Sequence, residues 1–389
     1  MVRLAARVTA TSKKSYGMYE QALALDAAGV DLVHLEFGRP IHDTPAHIKA
    51  ATVAALEGGH VHYSDMMGER AFRDAIAIKL RAFNHIEAAP NEILVTNGLT
   101  QGSYAAFMAL IDPGDEVILL DPYYPQHVGK IEMAGGKIVT VPLDADNDFA
   151  IRADWVEAAV TPRTRMIVMV NPANPTGRVY TREELAALAD VAIRHDLVVV
   201  SDEVYEYITF GEADHVSIAS LPGMKERTVS LFAFTKAYAM DGWRLGYAVA
   251  DASLMPGLVK ISTSAVTHVN AFIQYGGLAA VTGPEAPVSE MVADDKAKRD
   301  LVVRRMNQMP GVRCPSPQGT IYAFPDITGT DIGSQALAER LLNEAHVVVE
   351  AGSFYGAKGE GHLRVCFGSE TIERIDLALD RMQSFFNGL

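Results

Sequence analysis

The sequence has few cysteines and no long apolar run. Cys314 and Cys366 are its two cysteines among 389 residues, and a chain of this size does not need a disulfide to fold. This cysteine content is typical of a reducing compartment, so we expect a cytoplasmic protein. No apolar stretch is long enough to cross a bilayer, and the N-terminus lacks the apolar region of a signal peptide.

Positive charge is also scarce. The chain has 34 lysines and arginines against 48 aspartates and glutamates, which gives a net charge of −14. An acidic surface repels phosphate groups, so this balance argues against nonspecific binding to nucleic acids or to anionic membranes. It remains compatible with a locally positive pocket for a small anionic ligand.

Several common catalytic motifs are missing. The sequence contains no Gly-x-Gly-x-x-Gly loop, no Walker A loop and no Gly-x-Ser-x-Gly elbow. The twelve histidines are scattered, and His60 and His62 are the pair that lies close together. No cysteine or acidic partner stands at metal-ligand spacing from them, so we predict no metal site.

Short apolar runs alternate with helical patterns from about residue 90 onward. Consecutive apolar positions are typical of strands that are buried on both faces of a mainly parallel sheet. The alternation predicts an α/β domain with a wound, seven-stranded sheet and helices that include 100–111 and 183–195. The predicted strands are Ile93–Thr96, Val117–Asp121, Ile138–Val141, Met166–Val170, Leu197–Ser201, Val229–Ala233 and Leu245–Val249.

The pattern changes near residue 285, where a long charged helix, 289–308, precedes short strands near 320–324, 347–350 and 363–367 and a final helix, 371–386. This region is predicted to be a smaller α+β domain. We therefore divide the chain into an N-terminal arm with part of the small domain (1–40), a large domain (41–285) and a C-terminal small domain (286–389). The arm is predicted to include a helix from Tyr16 to Ala28.

Polar residues follow several of the predicted strands. Ligands of open α/β sheets collect at the carboxyl ends of strands. Asp202 follows Leu197–Ser201, and Lys236 follows Val229–Ala233; Asn97–Thr100, Tyr123–Tyr124 and Asn171–Gly177 stand at similar places. Each one alone is equally well explained as a turn, a helix cap or a surface charge.

Lys236 and Arg244 make a more specific pattern. A lysine at the end of an apolar run loses hydration of its ammonium form and becomes a nucleophile able to form a Schiff base. An arginine eight positions later offers a planar fork of donors to a phosphate. An aldehyde and a phosphate occur together in pyridoxal phosphate, so the pair predicts that cofactor.

The ordered motifs resemble those of the class I/II aminotransferases, which have the fold type I architecture of pyridoxal-phosphate enzymes. The resemblance extends from Phe37-Gly38-Arg39-Pro40 to the last helix. It rests on Tyr63 with Gly68, Asn-Pro-Ala-Asn-Pro-Thr-Gly at 171–177, Ser-Asp-Glu-Val-Tyr at 201–205, Thr-Lys at 235–236, Gly-Trp-Arg-Leu-Gly-Tyr at 242–247 and His-Leu-Arg-Val-Cys-Phe at 362–367.

The resemblance implies a homodimeric aminotransferase that moves an amino group between an L-amino acid and a 2-oxo acid through a Lys236 Schiff base and a pyridoxamine intermediate. By matching position, the implied catalytic residues are Lys236, Asp202 at the pyridine nitrogen, and Tyr205. The implied cofactor contacts are Tyr205 and Asn174 at the ring oxygen, Tyr124 on the ring face, Gly98, Leu99, Thr100, Thr235 and Arg244 at the phosphate, and Tyr63 from the other subunit. The implied substrate contacts are Arg364 at the α-carboxylate, Gly38 and Asn174.

Two departures from the family pattern concern the ligands. Ala233 lacks a hydroxyl that many relatives carry, which removes one phosphate contact. Thr100 stands where many aspartate-specific relatives have a lysine for the distal carboxylate, which argues against aspartate as the donor unless another arginine or histidine takes that role. The role of His268 stays open between the active site and ordinary packing.

Other functions compatible with the cofactor were weighed. A C–S lyase or a racemase would use the same cofactor and carboxylate contacts, because fold alone does not fix the reaction type. A regulator that senses pyridoxal phosphate would need a DNA-binding segment in front of the family match, which begins within the first forty residues, and the acidic charge opposes it. Transamination is the leading prediction.

Overall fold

The computed structural model describes residues 2–12 and 17–389. Part of the predicted arm helix lies outside the described residues, and the helix that is described there begins at Met18. The α-helices are α1 (Ala6–Ala10), α2 (Met18–Ala27), α3 (Ala46–Glu57), α4 (Arg70–Lys79), α5 (Leu99–Leu110), α6 (Val128–Met133), α7 (Ala153–Ala158), α8 (Arg182–Arg194), α9 (Met255–Val266), α10 (Ala271–Thr282), α11 (Ala286–Met306), α12 (Ser334–Arg340) and α13 (Ile372–Asn387).

The strands form one large sheet and two small ones. In the order of the chain they are β1 (Val33–His34), β2 (Ile93–Thr96), β3 (Glu116–Asp121), β4 (Lys137–Pro142), β5 (Thr164–Val170), β6 (Val198–Asp202), β7 (Thr228–Ala233), β8 (Gly246–Val249), β9 (Tyr322–Ala323), β10 (Val347–Val348), β11 (Glu350–Ala351) and β12 (Leu363–Cys366).

The large sheet has seven strands in the order β2-β8-β7-β6-β5-β3-β4. Strand β8 is antiparallel to both of its neighbours, and the other pairs are parallel. The predicted α/β class and the mainly parallel seven-stranded sheet are therefore confirmed. The ends of its strands differ from the predicted ones by at most two residues.

The large sheet is buried on both faces, as the apolar runs predict. Along β3, Ile118 and Leu120 belong to a core that includes Leu185 of α8. Val117 and Leu119 belong to a different core that includes Phe107 of α5. Successive side chains of a strand point to opposite faces, so each face of β3 packs against its own helix layer.

The C-terminal strands differ from their prediction. The sequence predicts one strand over 347–350, but the structure divides it at Val349. Strand β10 pairs in parallel with β1, whereas β11 pairs with β12 in a three-stranded sheet with β9. Pairing partners are tertiary choices that a four-residue apolar run does not reveal. The proposed domain boundaries near residues 40 and 285 stay predictions.

Local sequence signals explain several element ends. A capping box begins α8, because Thr181 accepts a hydrogen bond from the amide of Glu184, and the Glu184 side chain accepts one from the amide of Thr181. Both cysteines are buried free thiols. Among the described helices, none combines the length and the apolar character needed to cross a membrane.

Candidate active site

A cavity of about 460 Å³ lies at the carboxyl ends of the central strands. Strand β6 contributes its last residue, Asp202, and the segment after β7 contributes Thr235 and Lys236. Eleven of the predicted site residues line this cavity, namely Gly38, Leu99, Thr100, Tyr124, Asn174, Asp202, Tyr205, Thr235, Lys236, Arg244 and Arg364. Gly98 and Tyr63 are absent from its wall.

Lys236 reaches across the cavity from the large sheet to the N-terminal segment. Its Nζ atom donates a hydrogen bond to the backbone carbonyl of Gly38 and lies 5.8 Å from the centre of the Tyr205 ring. Gly38 itself is closely packed, because a Cβ atom there would lie 2.0 Å from the hydroxyl of Tyr322. A side chain at position 38 would therefore collide with the Tyr322 phenol.

Asp202 is 2 % exposed and has a histidine beside it that the sequence reasoning missed. The Nε2 atom of His127 lies 3.2 Å from Oδ2 of Asp202. Burial is the main cause that lowers the pKa of His127, which favours a neutral imidazole next to the aspartate. The ring also contacts Tyr124 edge to face, at 5.4 Å between centroids.

Tyr205 belongs to a pair of buried phenols. Its hydroxyl lies 2.9 Å from the hydroxyl of Tyr322, which is on β9. Burial is the main cause that raises the pKa of Tyr205 above its usual value, so the group is protonated and able to donate a hydrogen bond. Tyr124 is buried as well, and desolvation raises the pKa of its phenol for the same reason.

Arg364 on β12 is 6 % exposed and is held by several groups. One terminal nitrogen donates to the backbone carbonyl of Glu36, and the other lies 3.4 Å from Oδ1 of Asn174. The guanidinium carbon lies 4.3 Å from the ring centre of Tyr322 and 4.9 Å from that of Tyr355. Its buried Nε atom has no hydrogen-bond partner within the described part of the chain, which suits an anionic ligand.

The start of α5 and Arg244 form a second anionic subsite. Leu99 and Thr100 are the first residues of α5, where backbone amides have no partner within the helix. The Gly98 amide donates to the carbonyl of Thr96 at 2.8 Å, and its contact with the phosphate stays a prediction. Gly98 also makes room for Arg244, since a Cβ atom there would lie 2.6 Å from an arginine nitrogen.

The sequence model of the aminotransferase class I and II family matches residues 30–382. The chain belongs to the class I and II aminotransferases. Its substrates are an amino acid and an oxo acid, and its reaction is transamination with pyridoxal 5′-phosphate. The alternatives of a C–S lyase, a racemase and a regulator are therefore set aside.

Relatives of this aminotransferase include enzymes with different substrates in their names. It is 37% identical to the aspartate aminotransferase of Musicola paradisiaca over 94% of this chain and 92% of that protein. It is also 37% identical to an aromatic-amino-acid aminotransferase of Thermococcus litoralis over 92% of each chain. The solved structure of the Thermus thermophilus aspartate aminotransferase with maleate has a TM-score of 0.94 at 34% identity and covers 99% of this chain and 100% of that one.

The cavity of this aminotransferase fits the chemistry of pyridoxal phosphate. A phosphate suits the amides of Leu99 and Thr100 together with Arg244, because a helix N-terminus and a guanidinium both favour anions. Asp202 supplies a buried carboxylate for a protonated ring nitrogen, and Lys236 supplies a primary amine. The residues present therefore match the aldehyde, ring and phosphate of the cofactor.

Tyr63 lies apart from this cavity. Its side chain is 88 % exposed, and its ring meets the edge of His268 at 4.8 Å between centroids. The interpretation of Tyr63 as a residue for a second subunit stays a prediction. His268 is half-buried beside Tyr63, so its role stays open.

Several wall residues were missed by sequence reasoning. Lys130 on α6 donates to the hydroxyl of Ser103 at 2.7 Å, and Glu350 on β11 accepts from the amide of Met18 at 3.0 Å. Burial raises the pKa of Glu350 to about 7. Glu350 is paired with Arg364 across β11 and β12. This pairing, which the sequence alone does not reveal, is the signal that would have pointed to Glu350.

Proposed function

We propose that Lys236 is the catalytic amine, with Asp202 and Tyr205 as the groups that control the cofactor ring. Bound pyridoxal phosphate supplies an aldehyde for the substrate amine and a ring that withdraws electrons. Lys236 then holds and moves the proton of the substrate α-carbon. Asp202 keeps the ring nitrogen protonated, and Tyr205, Asn174 and Tyr124 hold the ring. Lys236 and Arg364 line one cavity, and the buried Nε atom of Arg364 has no hydrogen-bond partner among the described residues, which is the observation that carries this proposal.

The cavity also supports a role for each end of the ligands. Arg364 binds the substrate α-carboxylate, with Asn174 and Gly38 beside it, because a guanidinium fork matches two carboxylate oxygens. Leu99, Thr100, Thr235 and Arg244 hold the phosphate, and Gly98 provides the space that Arg244 needs. Thr100 offers no positive charge to a second carboxylate, so we propose that aspartate is a poor donor.

We infer a homodimer in which Tyr63 reaches the phosphate of the partner subunit. The segment that carries Tyr63 exposes several large apolar side chains, namely Val53, Leu56, Val61 and Met66, each about half exposed. A cluster of exposed apolar side chains is typical of an association surface. The two buried free thiols support our proposal of a cytoplasmic enzyme.

The first test replaces Lys236 with alanine. Without the amine, the proton of the α-carbon has no acceptor, so turnover should disappear while cofactor still binds through the phosphate subsite. The measurement is the absorbance of the purified enzyme during titration with single L-amino acids, and then with a 2-oxo acid. Lys260→Ala on α9 is the matched control and should retain wild-type turnover.

The same titration separates donors and reactions. Wild-type enzyme should change its absorbance with a preferred donor and recover it with a 2-oxo acid, and aspartate should be less effective than aromatic or aliphatic donors. Release of ammonia or pyruvate without recovery would contradict transamination as the main reaction. Unchanged turnover in Lys236→Ala would refute the assignment of the catalytic amine.

A further inference from the structure

Two buried glutamates alternate with the proposed cofactor residues. Glu203 directly follows Asp202, and Glu206 directly follows Tyr205. Glu203 is 0 % exposed and Glu206 is 6 % exposed, yet neither lines the active-site cavity. A buried carboxylate is costly unless it is paired or hydrogen-bonded, so its partners indicate what the position requires.

Glu203 is held by two polar side chains. Its Oε2 atom lies 2.8 Å from Nε2 of His215 and accepts a hydrogen bond from the hydroxyl of Ser217. His215 and Ser217 both belong to the loop that follows β6. The contact therefore ties the residue next to Asp202 to a buried point of that loop.

Glu206 is held from the other side by residues at the end of α4. Nζ of Lys79 lies 2.5 Å from both carboxylate oxygens, and the side-chain nitrogen of Asn84 donates to Oε2 at 2.8 Å. Lys79 also donates to Oδ1 of Asn84 at 2.8 Å. Lys79, Asn84 and Glu206 therefore contact one another in one buried cluster.

Asn84 joins the two halves into one network. Its side-chain nitrogen lies 3.0 Å from the hydroxyl of Ser217, which in turn donates to Glu203. Hydrogen bonds therefore run without a break from Lys79 through Asn84 and Ser217 to Glu203. We call Lys79, Asn84, Glu203, Glu206, His215 and Ser217 the rear network, because its glutamates directly follow Asp202 and Tyr205 and none of its residues lines the cavity.

Aromatic rings enclose the lysine of the rear network. Nζ of Lys79 lies 5.2 Å from the ring centre of Phe83, 5.1 Å from that of Tyr207 and 4.7 Å from that of Phe232. Burial is the largest influence on Lys79 and lowers its pKa, whereas Glu206 acts in the opposite direction. Desolvation opposes the charged lysine, but the aromatic faces favour it and the absence of water strengthens its attraction to Glu206, so the short contact holds Glu206 in place.

The backbone between the two glutamates is fixed as well. The amide of Glu203 donates to Leu231 on β7 at 2.9 Å, and the amide of Glu206 donates to the carbonyl of Glu203 at 3.1 Å. Glu203 and Glu206 belong to the same short turn as Asp202 and Tyr205. Contacts that fix the two glutamates therefore also restrict the positions of Asp202 and Tyr205. A shift of about 1 Å at a positioned group is enough to reduce catalysis strongly.

We propose that Lys79, Asn84 and His215 are positioning residues, which act through Glu206 and Glu203 to set the Asp202 carboxylate and the Tyr205 hydroxyl against the cofactor ring. This inference rests on the proposed function of Asp202 and Tyr205. It assigns the control of the ring to a second layer of residues. One of them, Lys79, is 127 positions away from Glu206 in the sequence.

The test removes both charges of the ion pair, as Lys79→Met with Glu206→Gln. The double change avoids an unpaired buried charge, which would destabilise the fold by itself. The matched control is Lys225→Met with Glu92→Gln, another ion pair with one buried carboxylate, at 3.1 Å, whose residues do not line the cavity. Both variants are loaded with pyridoxal phosphate and compared with wild type well below their unfolding temperatures.

Two readouts separate positioning from stability. The first is the pH midpoint of the absorbance change of the bound cofactor, which reports the surroundings of the ring without turnover. The second is the division of the kinetic effect between kcat and KM. We expect the Lys79/Glu206 variant to shift the midpoint and to lower kcat about 10-fold or more with little change of KM, while the control pair leaves both unchanged.

The opposite results are equally clear. A lower unfolding temperature with the wild-type midpoint and kcat would overturn the proposal and leave the rear network a structural feature. If the double variant does not fold, Asn84→Ala and His215→Gln are measured in the same way with the same expectations. Failure of the proposed function would show differently, as wild-type enzyme whose absorbance does not respond to any amino donor.

Discussion

At the scale of single residues, Arg364 is held in place by its neighbours and still has a donor, Nε, without a partner among the described residues. Glu36 and Asn174 contact its two terminal nitrogens, and Tyr322 and Tyr355 pack on its planar group. These contacts fix the direction of the guanidinium before any ligand arrives. A preorganised donor loses little side-chain freedom on binding, which favours recognition of a carboxylate.

Replacement of Arg364 by alanine should weaken substrate binding and slow the reaction. A charge-assisted hydrogen bond contributes about 1.5–3 kcal/mol, so KM should rise about 10- to 100-fold in steady-state kinetics with the preferred donor. Arg364→Lys should recover part of the loss, because it restores charge without the planar fork. The control is Arg374→Ala on α13; the side chain of Arg374 is 33 % exposed. Equal KM values in all variants would contradict the assignment.

The residues found by sequence and those missed by it differ in their position along the chain. Asp202 and Lys236 directly follow apolar runs, so the rule for strand ends was sufficient to bring them together. Tyr322 reaches the same cavity from a two-residue strand, and His127 contacts Asp202 from a short turn without lining the cavity. Neither has a local pattern that points to the site, and their role depends on packing between distant segments.

At the scale of elements, His34 connects β1 with α2. Its Nδ1 atom lies 2.9 Å from Glu36 and its Nε2 atom 3.2 Å from Asp26 at the end of α2. The hydrogen bond to Glu36 is the largest influence that raises the pKa of His34, from 6.5 to about 9. The protonated ring therefore stabilises the contact between the N-terminal helix and the strand.

The pH dependence of stability follows from the direction of this shift. A raised pKa means that the folded protein holds the proton more tightly, so the stabilisation is complete below pH 6.5 and is lost as the pH rises toward 9. His34→Gln should remove about 1–3 kcal/mol of this dependence. Unfolding midpoints of wild type, His34→Gln and the exposed control His60→Gln at pH 6 and pH 9 provide the test, and parallel curves would contradict it.

Long elements of this fold were predictable, and short ones were not. Six of the seven strands of the large sheet are buried for most of their length and carry consecutive apolar residues, whereas the edge strand β4 is partly exposed and still has an apolar run in its sequence. Strands β10 and β11 have two residues each and belong to different sheets, because β10 pairs with β1 and β11 pairs with β12. Their boundary at Val349 depends on which partner strand lies beside each pair of residues, so it has no local signature.

At the scale of the whole molecule, the proposed phosphate subsite lacks the predicted contact with Tyr63. Within one chain, Tyr63 does not line the cavity that contains this subsite. Its ring is 88 % exposed. Apolar neighbours on the same segment make a second copy of this chain the natural cover for that surface. Dimerisation would then join two half-complete sites, and activity would depend on assembly.

Mixed dimers provide a decisive test of this arrangement. Tyr63→Ala should weaken phosphate binding in every homodimer, and Lys236→Ala should inactivate every homodimer. In a mixed dimer of the two variants, the subunit with an intact Lys236 would receive an intact Tyr63 from its neighbour, so one wild-type site should appear. The measurement is turnover after the two variants are coexpressed with different tags and purified through both. If Tyr63 served its own subunit instead, each site in the mixed dimer would carry a lesion, and turnover would not exceed that of the Tyr63→Ala homodimer.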